Sequence, residues 1–171
     1  IEDARRVFYA GADKISINSP AVERPELITE LAEVFGSQAV VVGIDSMRKK
    51  LDDGTEDYFI WKYTGSEATA TGVNKKTQDW ILEVEKFGAG EIVLNCMDAD
   101  GTRAGYDVRQ LAMMRGITSL PLIASGGAGS IEDFYNVFAK ARVDGGLAAG
   151  IFHRGEVKIE DLKAGLDAKG I

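Results

Sequence analysis

The chain has 171 residues, 45% of them hydrophobic and 27% charged, values that predict one soluble globular domain with a sizeable core. A formal net charge of -7 argues against nucleic acid or an anionic membrane as a partner. The negative net charge is still compatible with an anionic small-molecule ligand, because backbone amides can bind an anion. We expect a cytoplasmic protein, because no apolar run approaches the ~20 residues of a membrane span, no secretory signal is recognisable, and the single cysteine, Cys96, excludes an internal disulfide.

Segments with apolar residues at helical spacing alternate with short apolar runs along the chain. The run Gln38–Ile44 is almost entirely apolar and rich in valine, which is typical of a parallel strand covered on both faces. Such alternation predicts right-handed βαβ units and a parallel sheet. In chain order the predicted elements are helix Ile1–Ala12, strand Lys14–Asn18, helix Pro25–Phe35, strand Gln38–Ile44, helix Thr77–Phe87, strand Glu91–Met97, helix Asp107–Arg115, strand Pro121–Ser125, helix Ile131–Lys140, strand Gly146–Ile151 and helix Ile159–Ala168.

One segment interrupts this alternation. Met47–Tyr63 is predicted to form an inserted β-hairpin with Asp53-Gly54 in its turn, followed by the Gly/Thr-rich stretch Thr64–Gly72. Long loops in compact domains often act as lids or binding loops, so we expect this insertion to lie beside a site.

The chain also contains an internal repeat. Ile1-Glu2-Asp3 and Val7-Phe8 recur as Ile131-Glu132-Asp133 and Val137-Phe138 in the same helix-then-strand context. The second copy follows a strand and a glycine turn, Pro121–Gly129, whereas nothing precedes the first copy. With five predicted strands where eight close a barrel, we expect residues 1–171 to form a single partial (βα)8 TIM barrel without its first three βα units.

Ligands of parallel βα folds bind at the C-terminal ends of the strands, where two kinds of residue stand out. Asp45 ends the most apolar strand, where its carboxylate is a candidate for proton transfer or, alternatively, a helix cap or loop residue. Ser125-Gly126-Gly127 precedes a helix and, with Ala149-Gly150, predicts a cup of backbone amides for phosphate. The alternative for these glycines is an ordinary turn.

Metal and triad chemistry find little support in the sequence. The segment Asp98–Thr102 resembles the start of a calcium loop, but Arg109 stands where such a loop needs glutamate. Its backbone and the Thr102 hydroxyl are candidates for meeting phosphate, unless the segment is only a surface turn. His153 is the only histidine, which argues against a zinc cluster and a Ser-His-Asp triad. We expect no metal and no cofactor.

At several of these motifs the chain resembles the cyclase subunit of imidazole glycerol phosphate synthase, of histidine biosynthesis. The resemblance covers essentially the whole chain, which corresponds to strands 4–8 of the family's eight-stranded barrel. It implies a barrel that takes ammonia from a glutaminase subunit and converts a ribonucleotide carrying two phosphates into imidazole glycerol phosphate and AICAR. The segments that carry it are Gly11–Ser19 (GADKISINS), Phe35–Asp45 (FGSQAVVVGID), Glu83–Asp107 (EVEKFGAGEIVLNCMDADGTRAGYD) and Leu120–Gly129 (LPLIASGGAG).

The resemblance implies roles for individual residues. Asp45 matches one of two catalytic aspartates, Asn18 and Ser19 match one phosphate site, and Thr64 and Ser125 match positions at the barrel mouth. Lys14 and Glu91 match a charged ring at the opposite end, where ammonia enters. The other phosphate site is matched by Asp100, Gly101, Gly127, Ala149 and Gly150.

Three features of the family are missing from this chain. They are the catalytic aspartate of strand 1, the glycine turn after strand 3, and the serine that is common at the position of Gly150. We therefore expect the isolated chain to be inactive. Two other hypotheses remain: a non-catalytic phosphate-binding barrel fragment, such as one made to study barrel assembly, and the sister isomerase of the same pathway.

The open edges of five strands predict a homo-oligomer, most simply a dimer. This expectation also assumes that certain strand side chains point into the open barrel. They are Val40, Val42, Ile92, Leu94 and Ile123.

Overall fold

The computed structural model describes residues 1–171, and it has one sheet covered by helices. None of its helices is both long and apolar enough to cross a membrane. The elements are α1 (Glu2–Tyr9), β1 (Ile15–Ile17), α2 (Ser19–Glu23), α3 (Glu26–Phe35), β2 (Val40–Lys50), β3 (Glu56–Lys62), β4 (Thr71–Lys76), α4 (Thr77–Lys86), β5 (Glu91–Cys96), α5 (Val108–Arg115), β6 (Leu122–Ser125), α6 (Ile131–Asn136, continued by a π-helical turn Val137–Ala141), β7 (Gly145–Gly146), α7 (Gly150–His153) and α8 (Ile159–Asp167).

Five strands of the sheet run parallel, in the order β1-β2-β5-β6-β7. β1 pairs only with β2 and β7 only with β6, so the sheet is open at both edges. The predicted partial barrel of five parallel βα units is therefore confirmed.

The inserted hairpin is also confirmed, and it is larger than predicted. β2 continues beyond the parallel sheet to Lys50 and pairs antiparallel with β3, in the register Met47↔Phe59 and Lys50↔Glu56. A third strand, β4, then pairs with β3 and extends the insertion. The sequence of β4, TGVNKK, has a single apolar side chain, Val73, and so shows no alternation that could predict a strand.

The prediction of a strand over Gly146–Ile151 is wrong. β7 is only Gly145–Gly146, and Gly150–His153 forms the short helix α7. The backbone N–H of Leu147 still donates to the carbonyl oxygen of Ala124 (2.8 Å), after which the chain leaves the sheet and buries Ile151. A short apolar run fits a strand and a buried helical turn equally well.

The side chains of the parallel strands divide between a helix-covered face and an open face. Val40, Val42, Ile92 and Leu94, expected to point into the open barrel, are instead fully buried in the core cluster that includes Ile28, Trp80 and Leu111 of the covering helices. The alternation of side chains along a strand then places Val41, Val93 and Ile123 on the open face. Of the five side chains named above, Ile123 alone has the expected orientation.

The thiol of Cys96 provides a test of this packing. Cys96 ends β5, has no exposed surface and lies in the core cluster. Burial above all, with the negative charges of Asp107 and Asp98, raises the pKa of the Cys96 thiol. We expect the native protein to react with a disulfide reagent at pH 8 at least 100-fold more slowly than the guanidinium-unfolded chain, because the thiolate is the reactive form. Equal rates in the two states would contradict the packing of β5 against the helices.

Candidate active site and phosphate cup

The carboxylate of Asp45 lies at the C-terminal edge of the parallel sheet and is 8% exposed. Its Oδ2 accepts hydrogen bonds from Asn18 Nδ2 (2.8 Å) and Thr64 Oγ1 (2.5 Å). Its Oδ1 accepts one from Asn95 Nδ2 (3.0 Å). The three donors come from the end of β1, the loop after β3 and strand β5. They fix the orientation of the carboxylate while leaving lone-pair capacity on Oδ1 for a proton or a substrate donor.

Strand register explains why these groups meet. Asp45 is paired in register with Asn95 across β2 and β5, and Asn95 is paired with Ser125 across β5 and β6. Residues in register on parallel strands point to the same face, so these three side chains form a row along the open face. Asn95 was not among the predicted site residues, although this register on neighbouring predicted strands could have identified it.

Asn18 and Ser19 are already engaged with neighbouring elements. Besides the bond from Asn18 to Asp45, Ser19 Oγ accepts a hydrogen bond from the backbone N–H of Tyr63 (2.8 Å). These contacts tie the end of β1 to the loop that carries Thr64. Asn18 Oδ1 is buried without a hydrogen-bond partner. A phosphate site at Asn18 and Ser19 stays a prediction.

A cleft of about 470 Å³ opens beyond the row of in-register residues, and we call it the phosphate cup after the phosphate site that the sequence predicts there. It is lined by the ends of β5 and β6 and by the segment from β7 into α7. Seven of the predicted site residues line it together: Asp100, Gly101, Ser125, Gly126, Gly127, Ala149 and Gly150.

Two glycines make the cup possible. Gly126 has φ +92° and Gly127 has φ +106°, values that side chains disfavour. A Cβ at Gly126 would lie 2.8 Å from the carbonyl oxygen of Cys96, and one at Gly127 would overlap the carbonyl oxygen of Gly105. The N–H of Gly105 donates to the carbonyl oxygen of Gly127 (2.8 Å), which holds the loops after β5 and β6 together.

Tyr106 supports the other wall of the cup. Its hydroxyl donates to the carbonyl oxygen of Leu147 (2.8 Å), and its ring packs edge-on against Phe134. Burial, chiefly, raises the pKa of the Tyr106 phenol, so the group remains a donor at neutral pH. The segment that leads to Ala149 and Gly150 is thereby fixed in place.

Thr102 does not line the phosphate cup. Its hydroxyl donates to the carbonyl oxygen of Ala99 (2.6 Å) and accepts from the N–H of Ala104 (3.2 Å), which stabilises its own turn. A role for Thr102 toward phosphate stays a prediction. No cluster of three or more His, Cys, Asp or Glu side chains is placed to hold a metal ion.

The predicted ring residues Lys14 and Glu91 lie at the opposite end of the strands. Lys14 Nζ and a Glu91 carboxylate oxygen form an ion pair of 2.5 Å, although the two residues are 77 positions apart in sequence. Glu91 begins β5 and Asn95 lies near its end, so the pair and the Asp45 site occupy opposite ends of one sheet.

Three charged residues at the cup were not predicted. Arg103 and Arg154 line it, and Glu156 forms ion pairs with both. The hydrogen bond from Arg154, above all, lowers the pKa of the Glu156 carboxyl, so it is charged at neutral pH.

Comparison with known proteins gives consistent matches. The family model described as "Histidine biosynthesis protein" matches residues 1–158. The relative from Xanthomonas oryzae pv. oryzae (strain MAFF 311018), an imidazole glycerol phosphate synthase subunit HisF, is 54% identical over all 171 residues. The subunit HisF of Pseudoalteromonas translucida (strain TAC 125) is 53% identical over 163 residues, which are 95% of this chain and 62% of that protein. The chain spans 65% of the length of the Xanthomonas relative.

Proposed function

The chain belongs to the histidine biosynthesis protein family, and we propose that it forms strands 4–8 of a cyclase barrel that makes imidazole glycerol phosphate and AICAR from a ribonucleotide precursor and ammonia. In this proposal the phosphate cup holds one of the two phosphates of the precursor. Asp45 acts on the reacting part of the same molecule.

The observation that carries the proposal is that Asp45 and the cup lie at the same C-terminal edge of the parallel sheet. Asp45, Asn95 and Ser125 follow one another in register across three adjacent strands. Neighbouring strands lie about 4.8 Å apart, so Asp45 is roughly 10 Å from Ser125 at the cup. A ribonucleotide anchored through its phosphate can span that distance.

Asp45 is suited to move a proton at that position. Hydrogen bonds from Asn18 and Thr64 occupy Oδ2, and Oδ1 receives the single bond from Asn95. We assign Oδ1 as the atom that accepts or returns a proton during ring closure. Each positioned acid or base contributes roughly 10²–10⁴-fold to a rate. The family's strand-1 aspartate has no counterpart among these 171 residues. We therefore expect turnover by the isolated chain to be about 10²–10⁴-fold lower than that of a complete barrel with both aspartates.

We also propose three features of the surroundings. Ammonia from a glutaminase subunit enters at the end of the sheet marked by the Lys14–Glu91 pair. The chain associates with itself through its open face and edges. The protein works in the cytoplasm, where its precursor is a soluble metabolite.

A hybrid protein tests the catalytic assignment. We expect a hybrid in which this chain replaces its aligned segment in the Xanthomonas oryzae relative to support growth, without histidine, of a bacterium that lacks its own cyclase. Asp45→Asn in the hybrid should abolish growth and lower kcat by about 10²–10⁴-fold, because the amide cannot take up the proton. Asp52→Asn, an exposed turn residue, is the matched control and should leave growth unchanged.

The same hybrid separates the alternatives. Growth that survives Asp45→Asn would contradict the role of Asp45. A folded hybrid that binds phosphate but gives no growth would favour a non-catalytic phosphate-binding module. Turnover of the sister isomerase's substrate, with none of the cyclase's, would favour the isomerase.

A further inference from the structure

We propose that Arg103 and Arg154 form a two-guanidinium clamp for a phosphate group in the cup, and that Glu156 is a built-in competitor that holds the clamp in the unliganded protein. The inference rests on the proposed function, in which the cup binds a phosphate monoester. It adds the side chains that set the affinity and selectivity of the cup for a dianion.

Arg154 lies directly over the cup wall at Gly150. A Cβ placed on Gly150 would be 2.7 Å from Nη1 and 3.0 Å from Nη2 of Arg154. The guanidinium thus occupies the space that any side chain at position 150 would fill. Its donors lie beside the backbone of Gly150, where an anion in the cup would meet them.

Arg103 approaches from the loop after β5. Its backbone has φ +59°, a left-handed conformation that is uncommon for a residue with a side chain. Its carbonyl group lies against Gly129, where a Cβ would overlap it. The loop after β6 therefore fixes the position of Arg103, which lines the cup together with Arg154.

Glu156 connects the two arginines. Its Oε1 accepts from Nε of Arg154 (2.5 Å), and its Oε2 pairs with Nη2 of Arg103. The side chains of Arg103 and Arg154 are 50% and 49% exposed, and exposed ion pairs of this kind contribute little to stability. The carboxylate can be exchanged for another anion at low cost.

Charge balance gives the exchange a direction. Four charged residues bear on the cup: Arg103 and Arg154 are cationic, and Asp100 and Glu156 are anionic. Their charges cancel while Glu156 occupies the arginines. A phosphate dianion offers more charge and more acceptor oxygens than a carboxylate, and guanidinium groups bind it through paired N–H donors. Phosphate should displace Glu156 and take both arginines.

Calorimetric titration of the full chain with inorganic phosphate tests the clamp. We expect Arg154→Gln and Arg103→Gln each to weaken binding about tenfold, since each removes a charge-assisted contact. Glu156→Gln should tighten binding several-fold because it removes the competitor. Arg6→Gln removes the same charge from an exposed pair on α1 and should leave the Kd within twofold.

Position 150 provides a second, independent measurement. Gly150→Ala should push the guanidinium of Arg154 aside and weaken phosphate binding, but should have no further effect in an Arg154→Gln background. Equal effects of Gly150→Ala in both backgrounds would overturn the placement of Arg154.

The outcomes for the clamp and the cup differ. If the unsubstituted chain binds phosphate, Gly127→Asp abolishes that binding, and the Arg103, Arg154 and Glu156 variants all stay within twofold, the clamp is wrong and the cup stands. If the unsubstituted chain binds no phosphate, the cup and the clamp are both wrong.

Discussion

Gly127→Asp is expected to abolish phosphate binding at the cup and to lower the stability of the folded chain. Gly127 has φ +106°, which costs a residue with a side chain roughly 1–2 kcal/mol, and its Cβ would overlap the carbonyl oxygen of Gly105. The loops after β5 and β6 would have to separate. The new carboxylate would also add a negative charge beside Asp100, which already lines the cleft.

Calorimetry with inorganic phosphate measures the first effect, and thermal unfolding measures the second. Gly11→Asp is the matched control: Gly11 has φ +102°, and no atom lies within 4 Å of a Cβ placed there. It carries the same backbone strain and the same added charge away from the cup. We expect it to lower stability slightly and to bind phosphate normally. Unchanged phosphate binding by Gly127→Asp would refute the cup.

The second large effect concerns assembly: light scattering should give about twice the mass of one chain at micromolar concentration. β1 and β7 each have a partner on one side only, which leaves backbone N–H and C=O groups free to pair with another chain. Val93 and Ile123, which are both partly exposed, add apolar surface on the open face. Two-fold pairing of identical chains is the commonest arrangement that covers such a surface.

Val93→Lys should convert the dimer to a monomer, because the ammonium group would lie in the centre of the open face. Leu82→Lys is the control, since Leu82 is 50% exposed on the outer side of α4. Circular dichroism would verify that both variants remain folded. A stable monomer of the unsubstituted chain, or a Val93→Lys variant that still dimerises, would contradict this mode of association.

The parallel part of the fold could be predicted because its signals are local. The apolar run that precedes Asp45 is short and rich in β-branched valine, which favours a strand, and the strands after it alternate with segments of helical spacing. β4 could not be predicted, because its pairing with β3 depends on tertiary contact and its sequence carries one apolar residue. The orientation of Val40 and Val42 was missed because an unbroken apolar run does not show which face is covered by helices.

The site divides in the same way. Asp45 and Gly127 could be proposed as site residues because the C-terminal ends of parallel strands must share one edge. Arg154 and Glu156 were missed because the segment before them was interpreted as a strand. Once Gly150–His153 is known to be a helix, Gly150 and Arg154 lie one turn apart on one side, and the glycine explains where the guanidinium goes.

The double membership of β2 has a consequence for how this protein can vary. Asp45 is paired both with Asn95 in the parallel sheet and with Trp61 in the antiparallel insertion. It therefore lies where the parallel sheet continues into the antiparallel hairpin of β2 and β3, which we call the arm. Residues added in the turn Leu51–Thr55 would lengthen the arm without moving the carboxylate. A single residue inserted between Ile44 and Ser46 would rotate the arm's side chains to the opposite face and pull Asp45 away from Thr64. Length changes are therefore tolerated at the tip of the arm and excluded at its root.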